Sequence, residues 1–310
     1  MKPEITYIVP LIHDIYISRY LYTLWKYSEP GSFRVVVIDQ CKNRVRPEVW
    51  NYIKDKVHLY LHPIRNLGYS KACNEGILHA LHWKTPYICV SNDDIEIMNK
   101  RWINGIFETF EMDKERIMAV VPMSPRVAGW GYGVSYNPEV LPYKEEYSEE
   151  EYDYLIKGDF TNYKGELPKT YPRKISGTVV DGAAFSMPYF RREAFEKIGL
   201  LDEHFFPGSG EDYDWNARAY VRGYRVVATS KSWVWHHWTK SKDLFASGTL
   251  EDPYYKPEDH PYWNNIGDLY PPVMNEGKDF DVWGYYHKEV DGKDIKVPLK
   301  RISEIFVDQI

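Results

Sequence analysis

Four groups of residues suited to a shared reaction site lie far apart along the chain: Asp39, the run Asn92-Asp93-Asp94, the pair Glu211-Asp212, and His236-His237. Adjacent carboxylates repel unless positive charge sits beside them, and a hard divalent cation with oxygen ligands is the common answer. Asn92-Asp93-Asp94 follows Tyr87 to Ser91, a run suited to a buried strand. In open α/β sheets ligands bind beyond such strand ends. The other reading of that run is a turn whose Asn and Asp hydrogen-bond their own backbone. Asp39 closes Arg34 to Asp39, a second β-branched strand. If both strands are parallel, the two acidic strand ends share one edge of the sheet. Glu211 and Asp212 stand where a helix begins, and there the helix dipole stabilises an ionised carboxylate. Simple helix-starting acids are the alternative. Asp214 is spaced for an i, i+4 pair with Arg218 and reads as structural. His236 and His237 are neighbours on an expected strand and point oppositely. At most one of them can join Asp94 on a metal, and His236 is chosen.

The elements that must position these groups alternate over the first ~120 residues, the pattern of a doubly wound, mostly parallel sheet. Ile5 to Pro10 reads as a strand, and Ile17, Leu21, Leu24 and Trp25 as a helix face. Pro47 opens a helix to about Lys56, and His58 to His62 is a third strand. Asn66-Leu67-Gly68 is a tight turn before a helix that Ser70 could cap. Trp102 to Phe110 is a further helix and Met118 to Val121 a fifth strand. From Ser124 to about 177 the pattern breaks into an irregular, mobile insertion. Regularity returns with a strand over Thr178 to Met187, a helix over Arg191 to Ile198 closed by Gly199, a helix from Glu211 to Gly223, and a strand over Tyr224 to Thr229. Residues 241–310 form an aromatic-rich extension.

The totals narrow the function. A net charge of -6 with acids and bases intermixed argues against nucleic acid as partner. Cys41, Cys73 and Cys89 lack metal-ligand spacing and are odd in number, which points to a reducing compartment. No signal-peptide core and no run of ~20 apolar residues is visible, so a cytoplasmic protein without a membrane span is expected. The 27 tyrosines and 11 tryptophans exceed what a core of this size needs, and aromatic rings suit the flat faces of sugars. After the first strand the chain reads Pro10-Leu11-Ile12-His13-Asp14, not a glycine-rich phosphate loop, which disfavours a nucleotidyltransferase. A non-catalytic carbohydrate-binding module is a further alternative, although it would have no need of Asp212 near a metal site.

The order of the pieces resembles the inverting glycosyltransferases of family two, with the GT-A fold and with rhamnosyltransferase-like members among them. The matching residues are Val37-Ile38-Asp39, Asn66-Leu67-Gly68 with Asn74-Glu75-Gly76-Ile77, and Ser91-Asn92-Asp93-Asp94. Further on come Asp181-Gly182-Ala183-Ala184-Phe185, Gly199-Leu200-Leu201-Asp202-Glu203, Glu211-Asp212-Tyr213-Asp214-Trp215 and Val234-Trp235-His236. The resemblance covers about residues 4 to 240, least over 124–175. It implies a catalytic domain over 1–240, with the 124–177 insertion on the acceptor side and the 241–310 extension packed against the domain.

The resemblance also implies roles. Asp212 would be the general base and Asp94 with His236 the ligands of Mn²⁺ or Mg²⁺. Pro10, Asp39, Arg65, Asn66, Gly68, Lys71, Asn92, Asp93, Asp181 and Glu211 would surround the donor, with Asp39 on the base. The donor would be a UDP-, dTDP- or GDP-sugar and the acceptor a glycan, a lipid-linked sugar or a protein. Asn92 stands where the family's metal motif has its first acid, which leaves the metal with fewer carboxylates.

Overall fold

A computed structural model describes residues 4–41, 44–64, 66–124, 143–156, 179–205, 208, 210–237, 285–290 and 293–298. The first half is built of strand–helix units. β1 (Ile5–Leu11), α1 (Ile17–Tyr27), β2 (Phe33–Asp39), α2 (Pro47–Ile53), β3 (Leu59–Leu61), α3 (Gly68–His82) and β4 (Tyr87–Val90) follow one another. β1 is buried along its whole length, as a strand covered on both faces must be. The face expected of α1 is buried at Ile17, Leu21 and Leu24, with Trp25 packed at its margin. Pro47 is the first residue of α2, where its missing N–H costs nothing.

β5 (Ile95–Ile97), α4 (Trp102–Glu111), β6 (Ile117–Met123), α5 (Glu149–Ile156), β7 (Val179–Asp181), β8 (Tyr189–Arg191), α6 (Arg192–Lys197), α7 (Glu211–Val221) and β9 (Arg225–His236) complete the main body. The nine-stranded sheet has the order β3-β2-β1-β4-β8-β6-β9-β5, and β7 pairs with β9. β1, β2, β3, β4, β6 and β9 run one way, and β5, β7 and β8 run against them. The chain leaves β1 toward β2 on one side and later returns as β4 on the other. The ends of β1 and β4 therefore part at a topological switch point, where a crevice opens. The second half is held close to the sheet. A Cβ on Gly105 of α4 would come within 2.0 Å of the Lys231 carbonyl oxygen in β9, so only glycine permits this approach.

Several elements differ from the sequence reading. Ser70 does not cap α3, because the helix begins at Gly68, which takes a φ of 75°. Of the strand expected over Thr178 to Met187 only Val179–Asp181, β7, is strand; residues 182–188 turn, and β8 begins beyond them at Tyr189. β9 does not stop at Thr229 but runs 12 residues to His236. Serines and lysine near its middle hide the strand from a reading based on apolar runs. Within the 124–177 stretch residues 149–156 are helical, so that part is not irregular; residues 125–142 and 157–178 lie outside the described residues. In the extension, β10 (Tyr285–Val290) and β11 (Lys293–Pro298) form an antiparallel hairpin that the aromatic pattern did not announce. The rest of 241–310 lies outside the described residues, as does its expected packing. No described helix is long and apolar enough to cross a membrane.

Candidate active site

The β4 strand end and the β9 strand end meet. β5 pairs antiparallel with β9, with Ile95 opposite His236, and the His237 amide donates to the Asp94 carbonyl at 2.9 Å. This places Asp94 Oδ1 3.1 Å from His236 Nε2, with the Asn92 amide 3.4 Å from the same nitrogen. Asp94 and His236 are both buried. Residues separated by more than a hundred positions are brought together by one strand pair.

Among the described residues no group of three His, Cys, Asp or Glu side chains is disposed to hold a metal ion. The chain thus offers Asp94 and His236 as a partial set. A divalent cation bound through one or two protein ligands and completed by substrate phosphates fits such a set.

Asp93 turns toward the β1 loop. Its Oδ2 lies 3.6 Å from His13 Nδ1, and neither that oxygen nor the His13 ring nitrogens has a hydrogen-bond partner among the described residues. Burial, with the neighbouring Asp94 charge adding to it, pushes the Asp93 carboxyl well above the usual range. Burial also holds His13 below its ordinary value, against the pull of Asp94 and Asp14. His13 was read only as an absence of glycine, and its part here was not anticipated.

Asp39 sits at the same sheet edge, on the far side of β1, but is closed in by its own loop. Its carboxylate accepts from the backbone amides of Cys41 and Val45, both at 2.9 Å, and from the Tyr60 hydroxyl. His62 Nδ1 lies 2.9 Å from its carbonyl oxygen. Asp39 is fully buried. Pro10 pairs with Ile38 inside the β1–β2 ladder. Asn66 accepts from the Gly68 amide at 2.8 Å and forms the turn that starts α3, while Gln40 accepts from Leu67 N at 2.7 Å. Lys71 points to Glu203, 3.2 Å away. Arg65 lies outside the described residues. Asp181 ends β7, opposite Val227; its side chain is outside the described set.

Asp212 is reached through the turn after β7. Gly210, with φ 100°, admits the backbone to α7, and Glu211 and Asp212 occupy the first turn. The Phe185 amide donates to Asp212 Oδ2 at 3.3 Å. Asn216 accepts from the Ala183 amide at 3.2 Å and donates to the Ala183 and Asp212 carbonyls at 2.9 and 2.7 Å. One residue beyond Phe185, the Ser186 carbonyl accepts from the Asn92 amide at 3.0 Å. A short run of bonded backbone therefore links the α7 start to the β4 end. Asp214 plays another part. It bonds Arg218 at 2.7 Å with both side chains 1% exposed, and Arg218 donates to the Ile198 and Leu200 carbonyls. Burial pushes the Asp214 carboxyl up, and the Arg218 charge opposes that push.

A second cluster went unread in the sequence. Glu96 is buried and accepts from Arg19 at 2.7 Å and from the Tyr143 hydroxyl at 3.0 Å, with His237 Nε2 2.6 Å away. Burial raises its carboxyl, but His237 and Arg19 outweigh that and hold it below the ordinary range. The signal was present in Ile95-Glu96-Ile97, where an acid stands inside a short apolar strand that is buried at all three positions.

The model of glycosyl transferase family 2 matches residues 16–199. The chain belongs to that family. A galactofuranosyl glycosyltransferase from Leishmania donovani is 22% identical over 194 residues, which is 59% of this chain and 43% of the relative. The chain thus spans less than half the length of that curated relative. Among solved structures, a mannosyltransferase from Pyrobaculum calidifontis in complex with GDP-Man and Mn²⁺ is 13% identical. It aligns over 88% of this chain and 71% of its own with a TM-score of 0.51. GalNAc-T7 with UDP, GalNAc and Mn²⁺ is 15% identical over 87% of this chain and 58% of its own, also at 0.51. At such identities the likeness speaks for the fold, which is the GT-A arrangement expected from the sequence.

Proposed function

We propose that this family 2 protein transfers a sugar from a UDP-, dTDP- or GDP-sugar to a hydroxyl of a glycan, lipid-linked or protein acceptor, with inversion at the anomeric carbon. The observation that carries the proposal is the meeting of Asp94 and His236 at a switch point whose β4 end is bonded, through Phe185 and Ser186, to the helix start that holds Asp212. The Mn²⁺ in the mannosyltransferase and GalNAc-T7 complexes is in keeping with it.

Asp94 and His236 would hold Mn²⁺ or Mg²⁺. When bound, such a cation neutralises charge on a departing diphosphate. Asn92, Asp93 and the Asn66-Leu67-Gly68 turn face the donor, with Glu211 and Asp181 at its sugar end and Pro10 at the floor. Arg65 and Lys71 flank the turn and supply positive charge toward the diphosphate, Lys71 by leaving its exposed pair with Glu203. Asp39 orders the loop beside the base and offers its remaining acceptor position to a base N–H, since a carboxylate has about four such positions. The acceptor hydroxyl loses its proton to Asp212 as its oxygen forms a bond to the anomeric carbon. The bond from that carbon to the diphosphate breaks with its electron pair leaving on the diphosphate. Attack opposite the leaving group inverts the configuration, and general-base catalysis of this type contributes about 10²–10⁴-fold.

Incubation with a panel of UDP-, dTDP- and GDP-sugars plus Mn²⁺ tests the reading. Slow release of the nucleoside diphosphate from one donor, abolished by chelator, is expected. Sugar binding without any release would favour the non-catalytic module.

A further inference from the structure

Glu96 lies two residues beyond Asp94 on β5, and its surroundings reach in three directions. Arg19 of α1 bonds Glu96 at 2.7 Å and the Tyr143 hydroxyl at 2.7 Å, and lies 3.3 Å from Glu145. Tyr143 bonds Glu96 at 3.0 Å, and its ring stands 5.1 Å from that of Trp235 and 5.3 Å from that of His237. His237 contacts Glu96 at 2.6 Å and stacks on Tyr16 at 5.0 Å between ring centroids. Farther along the same segment, Lys26 bonds Glu146 at 2.8 Å. Residues 143–146 are thus fastened to α1, to β5 and to the exit of β9 around one buried carboxylate. Charge-assisted bonds of this kind are about twice as strong as neutral ones, and removing one member from a buried set is costly.

The geometry points to Glu96 as a positioning residue: by gripping His237 it fixes the end of β9 so that His236 is held against Asp94, and by gripping Tyr143 it ties the foot of the 124–177 insertion to that same strand end. The inference rests on the proposed cation site at Asp94 and His236 for its metal consequence, but the clamp itself does not. His236 and Asp94 meet at the end of one strand pair, and the Glu96 set bonds that pair to Arg19 of α1 and to the exit of β9 at His237. Groups that orient metal ligands from behind typically matter 10–100-fold in metal affinity or activity.

The test compares the full chain with Glu96→Gln and Glu146→Gln, the latter cutting only the outer contact to Lys26. Two quantities are read: hydrogen exchange in residues 143–147 and 232–237, and Mn²⁺ affinity by electron paramagnetic resonance with UDP and GDP present. Glu96→Gln should raise exchange in both segments and weaken Mn²⁺ binding at least tenfold. Glu146→Gln should raise exchange in 143–147 alone and leave Mn²⁺ binding as in the parent. Unchanged protection of 232–237 in Glu96→Gln, or Mn²⁺ affinity within twofold of the parent, overturns the assignment. Should the parent bind no Mn²⁺, the cation reading fails, and the exchange arm alone decides the clamp. If Glu96→Gln does not fold, His237→Gln removes the same contact from a partly exposed residue and must give the same exchange in 232–237.

Discussion

The strand ends of β2 and β4 lie on either side of β1 and both lead into acids, yet those acids meet different partners. Asp39 gives most of its acceptor capacity to its own loop: two backbone amides and a tyrosine hydroxyl converge on a fully buried carboxylate. Asp94 meets an imidazole delivered from the far end of the sheet. A related contrast lies within one turn of α7, where Asp214 is locked to Arg218 in the interior while Asp212, two residues earlier, stays partly exposed and accepts from the Phe185 amide at 3.3 Å in the turn beside β4. Position at a strand end or helix start says where an acid is; the partners it meets set how much of it is left for a ligand.

Substitutions can break this contrast. Asp212→Asn should reduce transfer by about 10³-fold, within the range of general-base catalysis, with nucleotide binding retained; turnover within tenfold of the parent would remove it from the base role. Asp214→Ala leaves Arg218 charged and buried without its carboxylate, so denaturant unfolding should show a loss of about 3–5 kcal/mol. A smaller loss would mean that the pair is not the lock described. Asp39→Asn places an amide NH₂ against backbone donors and should cost about 1–3 kcal/mol in the same assay. Lys71→Ala breaks only an exposed pair and should change stability by less than about 1 kcal/mol, while nucleotide affinity falls a few-fold.

Much of the fold was legible because buried parallel strands and amphipathic helices write clear patterns. The β1 to β4 run and the α7 start lie where apolar periodicity, Pro47 and Gly210 put them. Of the site, the Asp94–His236 meeting and the structural role of Asp214 could be foreseen, the first from the motif series and the second from i, i+4 spacing. What stayed hidden depends on tertiary partners. Nothing in the sequence shows that Asp39 accepts from the Cys41 and Val45 amides, since those bonds depend on loop shape. His13 and Glu96 take their meaning from neighbours supplied by other elements. β9 was cut short because its central Ser230-Lys231-Ser232 looks like a loop, although Ser230 and Ser232 are buried.

The most direct test is a crystal structure of the full chain with Mn²⁺ and the nucleoside diphosphate it binds, with the metal located by its anomalous scattering. The account predicts one cation touching both Asp94 and the diphosphate, His236 within reach of it, and the Asp212 carboxylate across the sugar position from the leaving phosphate. A cation and nucleotide bound elsewhere, or Asp212 opening into a separate cavity, would contradict it.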